Sequence, residues 1–277
     1  MSGTLYLVGT PIGNLSDLSP HAISVLGNVD FIAAEDTRVT LKLLTHFGIK
    51  KPLISYFEHN KRERGEIVLA RIEGGENCAL VSDAGMPAIS DPGEMLVRQA
   101  HERGVPVVAV PGPSAVVTAL AVSGLPTGRF TFEGFLSVNK KSRREHLEEV
   151  RNEHRTMVFY EAPHKLLTTL QDMLDAWGDR HLALVRELTK VHEEVRRTTL
   201  SEAVNFYTEN PPRGEFVLVI AGAPEEKAAV DSLEDALSLA RSFIADGNSA
   251  SAAAKEAAAQ TGRRKNEIYK ALTQDTE

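Results

Sequence analysis

The amino-acid sequence predicts an α/β fold in two domains followed by a small helical tail, and three observations carry that expectation. Short β-rich runs alternate with amphipathic segments through the first half of the chain. Turn chemistry at residues 124–130 (GLPTGRF) interrupts the alternation before a second series of strands begins. A charged, Ala- and Pro-rich stretch at residues 223–231 (APEEKAAVD) then reads as a linker. The 277 residues are enough for two compact cores. The expected divisions are 1–124 for an N-terminal α/β domain, 125–223 for a C-terminal α/β domain, and 224–277 for linker and tail.

In the first domain the expected strands are Leu5–Val8, Phe31–Ala34, 53–56, 79–81 and Val107–Val110, with helical patterns at 22–26, 39–47, 66–73 and 94–103. Strands alternating with helices favour a mainly parallel sheet covered on both faces. The second domain is expected to hold strands at Phe130–Phe135, 156–160, 182–185 and 216–221. In the tail, segments 249–260 and 265–272 join through Thr261 and Gly262, and Arg263, Arg264 and Lys265 open the second of them. That pattern reads equally as a helix-turn-helix offering a helix N-terminus to phosphate or as a plain helical hairpin.

Composition narrows the class. The chain is 42% hydrophobic and 25% charged, within the globular range, and no apolar run is long enough to span a bilayer. The opening MSGTLYLVGT enters a strand-like run at once and lacks the pattern of a secretory signal. The single Cys78 has no intramolecular disulfide partner, and no Cys/His spacing suits a structural zinc site, so the expectation is a cytoplasmic protein with no metal and no membrane association. A net charge of −7 argues against nonspecific coating of nucleic acid. It leaves room for a local basic groove, which residues 61–64, 140–144 (KKSRR) and 263–265 can supply if they are more than solvated surface.

In open α/β sheets ligands sit beyond the carboxyl ends of the strands, so the loops after strands are where chemistry is expected. Three of them are rich in Gly and Pro: GTPIGN (9–14), SDAGMPAISDPG (82–93) and PGPSA (111–115). Proline fixes φ and glycine permits unusual φ, so such loops can be rigid while bringing backbone donors and acceptors close to a ligand. The spacing G-x-G-x-x-G is absent, which argues against a dinucleotide site, although Glu35 and Asp36 do follow a strand.

Taken in order, VGTPIGNLSDLSP, AAEDTR, VSDAGMPAISDPG, VPGPSA and FYEAPHKL resemble the tetrapyrrole-methylase superfamily, the class III methyltransferases, over about residues 5–222. They are most similar to the branch that methylates a ribose 2′-hydroxyl in small-subunit ribosomal RNA. Tetrapyrrole enzymes of the superfamily carry a GPGD-like first loop and a GDP-like second one, where this chain has GTPIGN and DAGMP. The resemblance implies a tetrapyrrole-methylase-like fold with S-adenosylmethionine folded in a cleft between the domains, and a homodimer. The implied substrate is a cytidine 2′-hydroxyl in the decoding region of small-subunit (16S) ribosomal RNA, as RNA or as the assembled 30S subunit. The alternatives are a tetrapyrrole or protein side-chain methyltransferase of the same fold, or a noncatalytic RNA-binding assembly factor.

Carried across by motif, the implied cofactor contacts are Pro11 and Ile12 from the first loop, Asp83, Gly85, Ala88 and Ile89 from the second, and Ser114 and Ala115 from the third. Tyr160, Glu161, Leu188 in RELTK and Ala221 complete the set from the second domain. Ile89 and Leu188 read equally as core, and Ser114 as a helix N-cap. A ribose hydroxyl needs a proton acceptor or a group that stabilises the developing alkoxide. Glu35, Asp36 and His59 are the catalytic candidates, with Asp36 alternatively a helix cap or ion-pair partner of Arg38 and His59 alternatively a surface histidine. Arg38, Lys61, Arg62, Arg64, Arg129, Lys140, Lys141, Arg143 and Arg144 are the expected phosphate contacts.

Overall fold

The structure, a computed structural model, describes residues 2–224 and 232–274, so most of the expected linker lies outside the described residues. The chain starts in a β-strand, β1 (Leu5–Val8), and continues through α1 (Pro20–Asn28), β2 (Phe31–Ala34), α2 (Thr37–His46), β3 (Leu53–Ser55), α3 (Lys61–Glu73), β4 (Cys78–Val81), α4 (Glu94–Glu102) and β5 (Val107–Val110). All four strand pairings are parallel, in the order β3-β2-β4-β1-β5. Parallel neighbours require crossovers that place helices over the sheet, so the inner strands are buried on both faces. FIAA in β2 and CALV in β4 have no exposed residue. One face packs Leu69 and Ile72 of α3 and Leu96 of α4 against Leu5, Phe31 and Leu80; the other packs Ala22 and Leu26 of α1 and Leu44 of α2 against Val8, Ile32 and Val81.

The chain then crosses to a second sheet. The helix that follows, α5 (Ala115–Ser123), buries Val116, Ala119 and Leu120 against Val158, Ala183, Val185, Val217 and Val219 of that sheet. The crossing therefore falls at residues 111–114, ahead of α5, whereas the expected division at 124 had placed this helix with the first domain. The remaining elements are β6 (Phe130–Phe135), α6 (Lys140–Glu149), β7 (Thr156–Glu161), α7 (Pro163–Trp177), β8 (His181–Arg186), β9 (Glu194–Thr199), α8 (Leu200–Glu209) and β10 (Phe216–Ile220). Their order is β6-β7-β10-β8-β9, and only β6 and β7 run parallel. Met157, Phe159, Leu184 and Leu218 face α6, α7 and α8 on the side of the sheet opposite α5. β9 (EVRRTT) was not expected: an edge strand with partly exposed, charged residues shows little hydrophobic alternation.

Residues 1–223 form one compact unit holding both sheets, and a second unit begins at Pro224. In that second unit α9 (Leu233–Ala245), α10 (Ala250–Thr261) and α11 (Lys265–Gln274) share a small core of Ala236, Ala240, Ala254, Ala257, Ile268 and Leu272. Gly262 ends α10 in the left-handed conformation, the usual helix stop before a turn. Among the described residues no helix is long and apolar enough to cross a membrane.

The loops after β1, β4 and β5 are locked to one another through backbone. Thr10 N–H donates to Gly85 O at 2.9 Å, Gly85 N–H returns a bond to Thr10 O at 3.1 Å, and the Thr10 hydroxyl reaches Ser82 O at 3.2 Å. A Cβ on Gly9 would lie 2.7 Å from Gly112 Cα, and one on Gly112 would lie 2.8 Å from Gly9 Cα. Neither glycine has a positive φ, so close approach is what demands them. Replacing Gly112 by Ala is expected to cost about 1–3 kcal/mol in chemical denaturation, the range for overpacking. Gly27→Ala, whose Cβ meets nothing within 4 Å on α1, is the control and should be neutral or slightly stabilising.

Candidate active site

The carboxyl ends of β1, β2 and β4 to β8 and the first residues of β10 border a single cavity of about 460 Å³. β10 reaches it with its N-terminal end because it runs antiparallel to β7 and β8. Ile12, Ile89, Val185, Leu188 and Val217 form an apolar wall, and Glu35, Asp83 and Asp91 bring carboxylates to it. A larger surface depression at Gly262, Arg263, Arg264, Lys265, Asn266 and Glu267 is bounded by one turn of chain and encloses nothing.

Backbone strain marks the same place. Ala88, Ser90, Glu187 and Thr189 are the non-glycine residues with positive φ among those described, at 68°, 63°, 51° and 64°. All four lie in two loops that line the cavity, 82–93 and 187–190, each contributing wall residues between or beside them. Such conformations cost of order 1–3 kcal/mol apiece and persist only where surroundings over-determine them. Around Glu187 those surroundings are explicit: its carboxylate accepts Glu215 N–H and Lys190 Nζ, both at 3.0 Å, and Lys190 also meets Glu215 at 2.8 Å. The first loop closes on this segment, since a Cβ on Gly13 would lie 2.9 Å from Leu188 O. Loops from both sheets are thus in backbone contact at the site.

Electrostatics differ sharply among the carboxylates. Burial raises Asp91 to about 6, reinforced by the nearby Glu35 and Asp83 charges and opposed by a hydrogen bond from Ser82. Glu35 is raised by burial and then by Asp83, and Asp83 by burial. Tyr160, beside Asp91, is pushed up to about 12 by burial and then by that negative charge. Asp36 behaves oppositely: its hydrogen bonds from Arg38 pull it down to about 2. It caps α2 by accepting Arg38 N–H at 2.8 Å and pairs with the Arg38 guanidinium at 2.6 Å, and it does not line the cavity.

The structure therefore brings together Ile12, Glu35, Asp83, Gly85, Ile89, Ser114, Ala115, Tyr160, Glu161 and Leu188 of the expected set. Pro11 and Ala88 shape their loops without lining the cavity, and Ser114 makes no side-chain cap. Glu161 is buried and already satisfied by Thr169 Oγ1 at 2.6 Å, Ala162 N–H at 2.8 Å and Lys165 Nζ at 3.0 Å, so it anchors the start of α7.

Three expected residues lie away from the cavity. Ala221 follows the far end of β10 and donates to His181 O, about 15 Å along the strand from the cavity, because the strand runs antiparallel. Arg129 precedes β6 at the end paired with Thr156, equally remote from the cavity but exposed. Arg143 is buried, with Nε and Nη2 both donating to Asp172 Oδ2 at 2.8 and 2.7 Å and Nη1 donating to Ser137 O at 3.1 Å, leaving no free face for phosphate. His59 is exposed beyond the edge strand β3, against Phe57, and lies outside the cavity with Lys61, Arg62 and Arg64. Lys61 is paired with Glu58. Sequence reasoning missed Asp91, inside a motif it had singled out; Phe216 and Val217, for which strand direction was the missing signal; and Phe135, which a bulge in β6 brings to the cavity.

A cavity with one apolar wall, a carboxylate side and two strained loops, formed where two α/β sheets meet, is a site suited to a small amphipathic ligand carrying positive charge. The chain belongs to the tetrapyrrole (corrin/porphyrin) methylase family, whose model matches residues 4–204. It is a methyltransferase that uses S-adenosylmethionine, as that family does. It is 48% identical to the ribosomal RNA small subunit methyltransferase I of Synechocystis sp., with 96% of each chain covered. It is also 48% identical to the protein of that name from Halalkalibacterium halodurans, over 99% of this chain and 96% of the relative. The fold resembles the uroporphyrin-III-C-methyltransferase of Thermus thermophilus, with a TM-score of 0.55 at 21% identity over 78% of this chain and 94% of that one. The cavity suits the cofactor, since a sulfonium cation is matched by Asp83, Asp91 and Glu35 and an adenine ring by the apolar wall.

Because Asp91 titrates higher folded than unfolded, where about 3.9 is usual, it favours the fold only while protonated. Its contribution is complete below the unfolded value and is lost as pH rises through about 6. Cofactor-free Asp91→Asn should therefore melt a few degrees above wild type at pH 8, and the gap should close by pH 4, as read by calorimetry. A gap that does not change with pH contradicts the assignment.

Proposed function

We propose that this chain transfers a methyl group from S-adenosylmethionine to the 2′-hydroxyl of a cytidine ribose in the decoding region of small-subunit (16S) ribosomal RNA, as RNA or within the 30S subunit, in the cytoplasm. The observation that supports it most is the pairing of one strained, carboxylate-bearing cavity with relatives named for ribosomal RNA methylation. The motif resemblance described above supplies the ribose and the cytidine. Ile12, Asp83, Gly85, Ile89, Ser114, Ala115, Tyr160 and Leu188 hold the cofactor in this reading.

The bound cofactor supplies an electrophilic methyl group, and the protein's part is alignment, exclusion of water and removal of the hydroxyl proton. Glu35 and Asp91 are the proton acceptors, each with a raised affinity for protons that brings it nearer the working pH than an ordinary carboxylate. Tyr160 stays protonated at neutral pH and so remains a hydrogen-bond donor. Asp36 keeps α2 in place from outside the cavity.

Lys140, Lys141 and Arg144 are exposed at the start of α6, a few residues beyond the cavity-lining Phe135, and meet phosphate in this reading. Exposed apolar residues support the homodimer implied by the resemblance. α5 exposes Val117 and Val122, and the edge strand β5 exposes Val108.

Mapping ribose methylation in ribosomal RNA from cells with and without the gene tests the function, and the deletion should lose one 2′-O-methyl cytidine in the small subunit. A full complement of ribose methylation in the deletion sinks the proposal. Changing Lys140 and Lys141 together to Glu should weaken RNA binding and reduce the slope of log affinity against log salt by about 2, one per phosphate contact. An unchanged slope removes this helix from the RNA surface.

A further inference from the structure

Of the large apolar side chains lining the cavity, Ile89 and Phe135 are half or more exposed, at 50% and 55%. Phe135 is there because of an irregularity in β6. Residues three apart on a regular strand point to opposite faces, so Phe132 and Phe135 would normally diverge. Here the register with β7 shifts between Phe132, opposite Val158, and Gly134, opposite Phe159, which leaves Glu133 as an extra residue. Gly134 accommodates the bulge with φ of 65°, and Phe135 then pairs with Tyr160. Both phenylalanine rings consequently meet the Tyr160 ring edge-on, at 5.0 and 5.3 Å.

The extra residue is used as well. Glu133 bonds His146 Nε2 of α6 at 3.0 Å, so one bulge fixes both the ring at the cavity and the helix that starts with Lys140, Lys141 and Arg144. Lys141 and Arg144 have side chains 85% and 56% exposed, consistent with contact to a solvated partner. The strained loop abuts the same point, since a Cβ on Gly134 would lie 3.5 Å from Ser90 Oγ. Bulges beside active sites commonly re-aim a side chain. The ring is braced edge-on by Tyr160, has Lys165 Nζ over it at 5.9 Å from its centroid, and still leaves more than half of its residue surface to whatever enters after the cofactor.

We propose that Phe135 is the stacking platform for the base of the nucleotide being methylated, and that the Glu133–Gly134 bulge sets this ring and the phosphate-facing start of α6 in one fixed geometry. The proposal rests on the RNA substrate assigned above. Sequence-specific RNA recognition commonly splays bases out of their stack, and an aromatic face replaces the stacking they lose. Because every base has a π-face, the ring secures the nucleotide, and contacts elsewhere choose it.

The test uses the full chain, small-subunit ribosomal RNA from cells lacking the gene, and Phe135→Leu and Phe135→Trp variants. Steady-state methylation gives KM for RNA, and calorimetry gives Kd for S-adenosylmethionine. Phe135→Leu should raise the KM for RNA about tenfold while the cofactor Kd stays within about twofold, and Phe135→Trp should restore the wild-type KM. An unchanged KM in Phe135→Leu overturns the platform while leaving the RNA reading intact. A parallel tenfold rise in cofactor Kd overturns it differently, by giving the ring to the cofactor's adenine. A wild-type chain that methylates none of this RNA refutes the substrate reading and the platform with it.

Discussion

The backbone contact between Gly9 and Gly112 is the constraint on which the site depends. Side chains at either position would hold apart the loops after β1 and β5, and the paired bonds between Thr10 and Gly85 would lose their register with the loop after β4. Those loops are stiffened mainly through backbone, with the buried Thr10 hydroxyl adding one side-chain bond to Ser82 O. The contact also fixes where the chain leaves the first sheet, because residues 111–114 lead directly into α5 and α5 is packed on the second. One close approach thus sets the cavity's floor and the seating of the second sheet above it.

The cavity stores free energy in two forms. Strained backbone at Ala88, Ser90, Glu187 and Thr189 is held by the surrounding network, most visibly by Glu187, Lys190 and Glu215. Carboxylates gathered at Glu35, Asp83 and Asp91 repel one another and resist ionisation. A cationic ligand relieves the second of these costs.

Much of the fold was legible because parallel strands buried on both faces leave unmistakable apolar runs such as FIAA and CALV. The loops GTPIGN, SDAGMPAISDPG and PGPSA were equally legible, since Gly and Pro report backbone demands directly. What the sequence concealed was strand direction in the second sheet. Ala221 was expected at the cavity and Phe216 and Val217 were not, an error that reverses once β10 is known to run antiparallel. Partner choice was hidden too: Arg143 reads as one cation in a basic run, and only the packing of α6 on α7 shows it committed to Asp172. The bulge at Glu133 that aims Phe135 leaves no trace in the hydrophobic pattern beyond Gly134.

The central claim is that one cavity, assembled from loops of both sheets, takes the cofactor. Hydrogen exchange of the full chain with and without saturating S-adenosylmethionine tests it most directly. The account predicts slowed exchange in residues 9–14, 82–93, 111–116, 185–190 and 215–217 together, with residues 129–131 and 219–222 at the opposite end of the second sheet unchanged. Protection confined to the loops of one sheet, or concentrated at that opposite end, would contradict it.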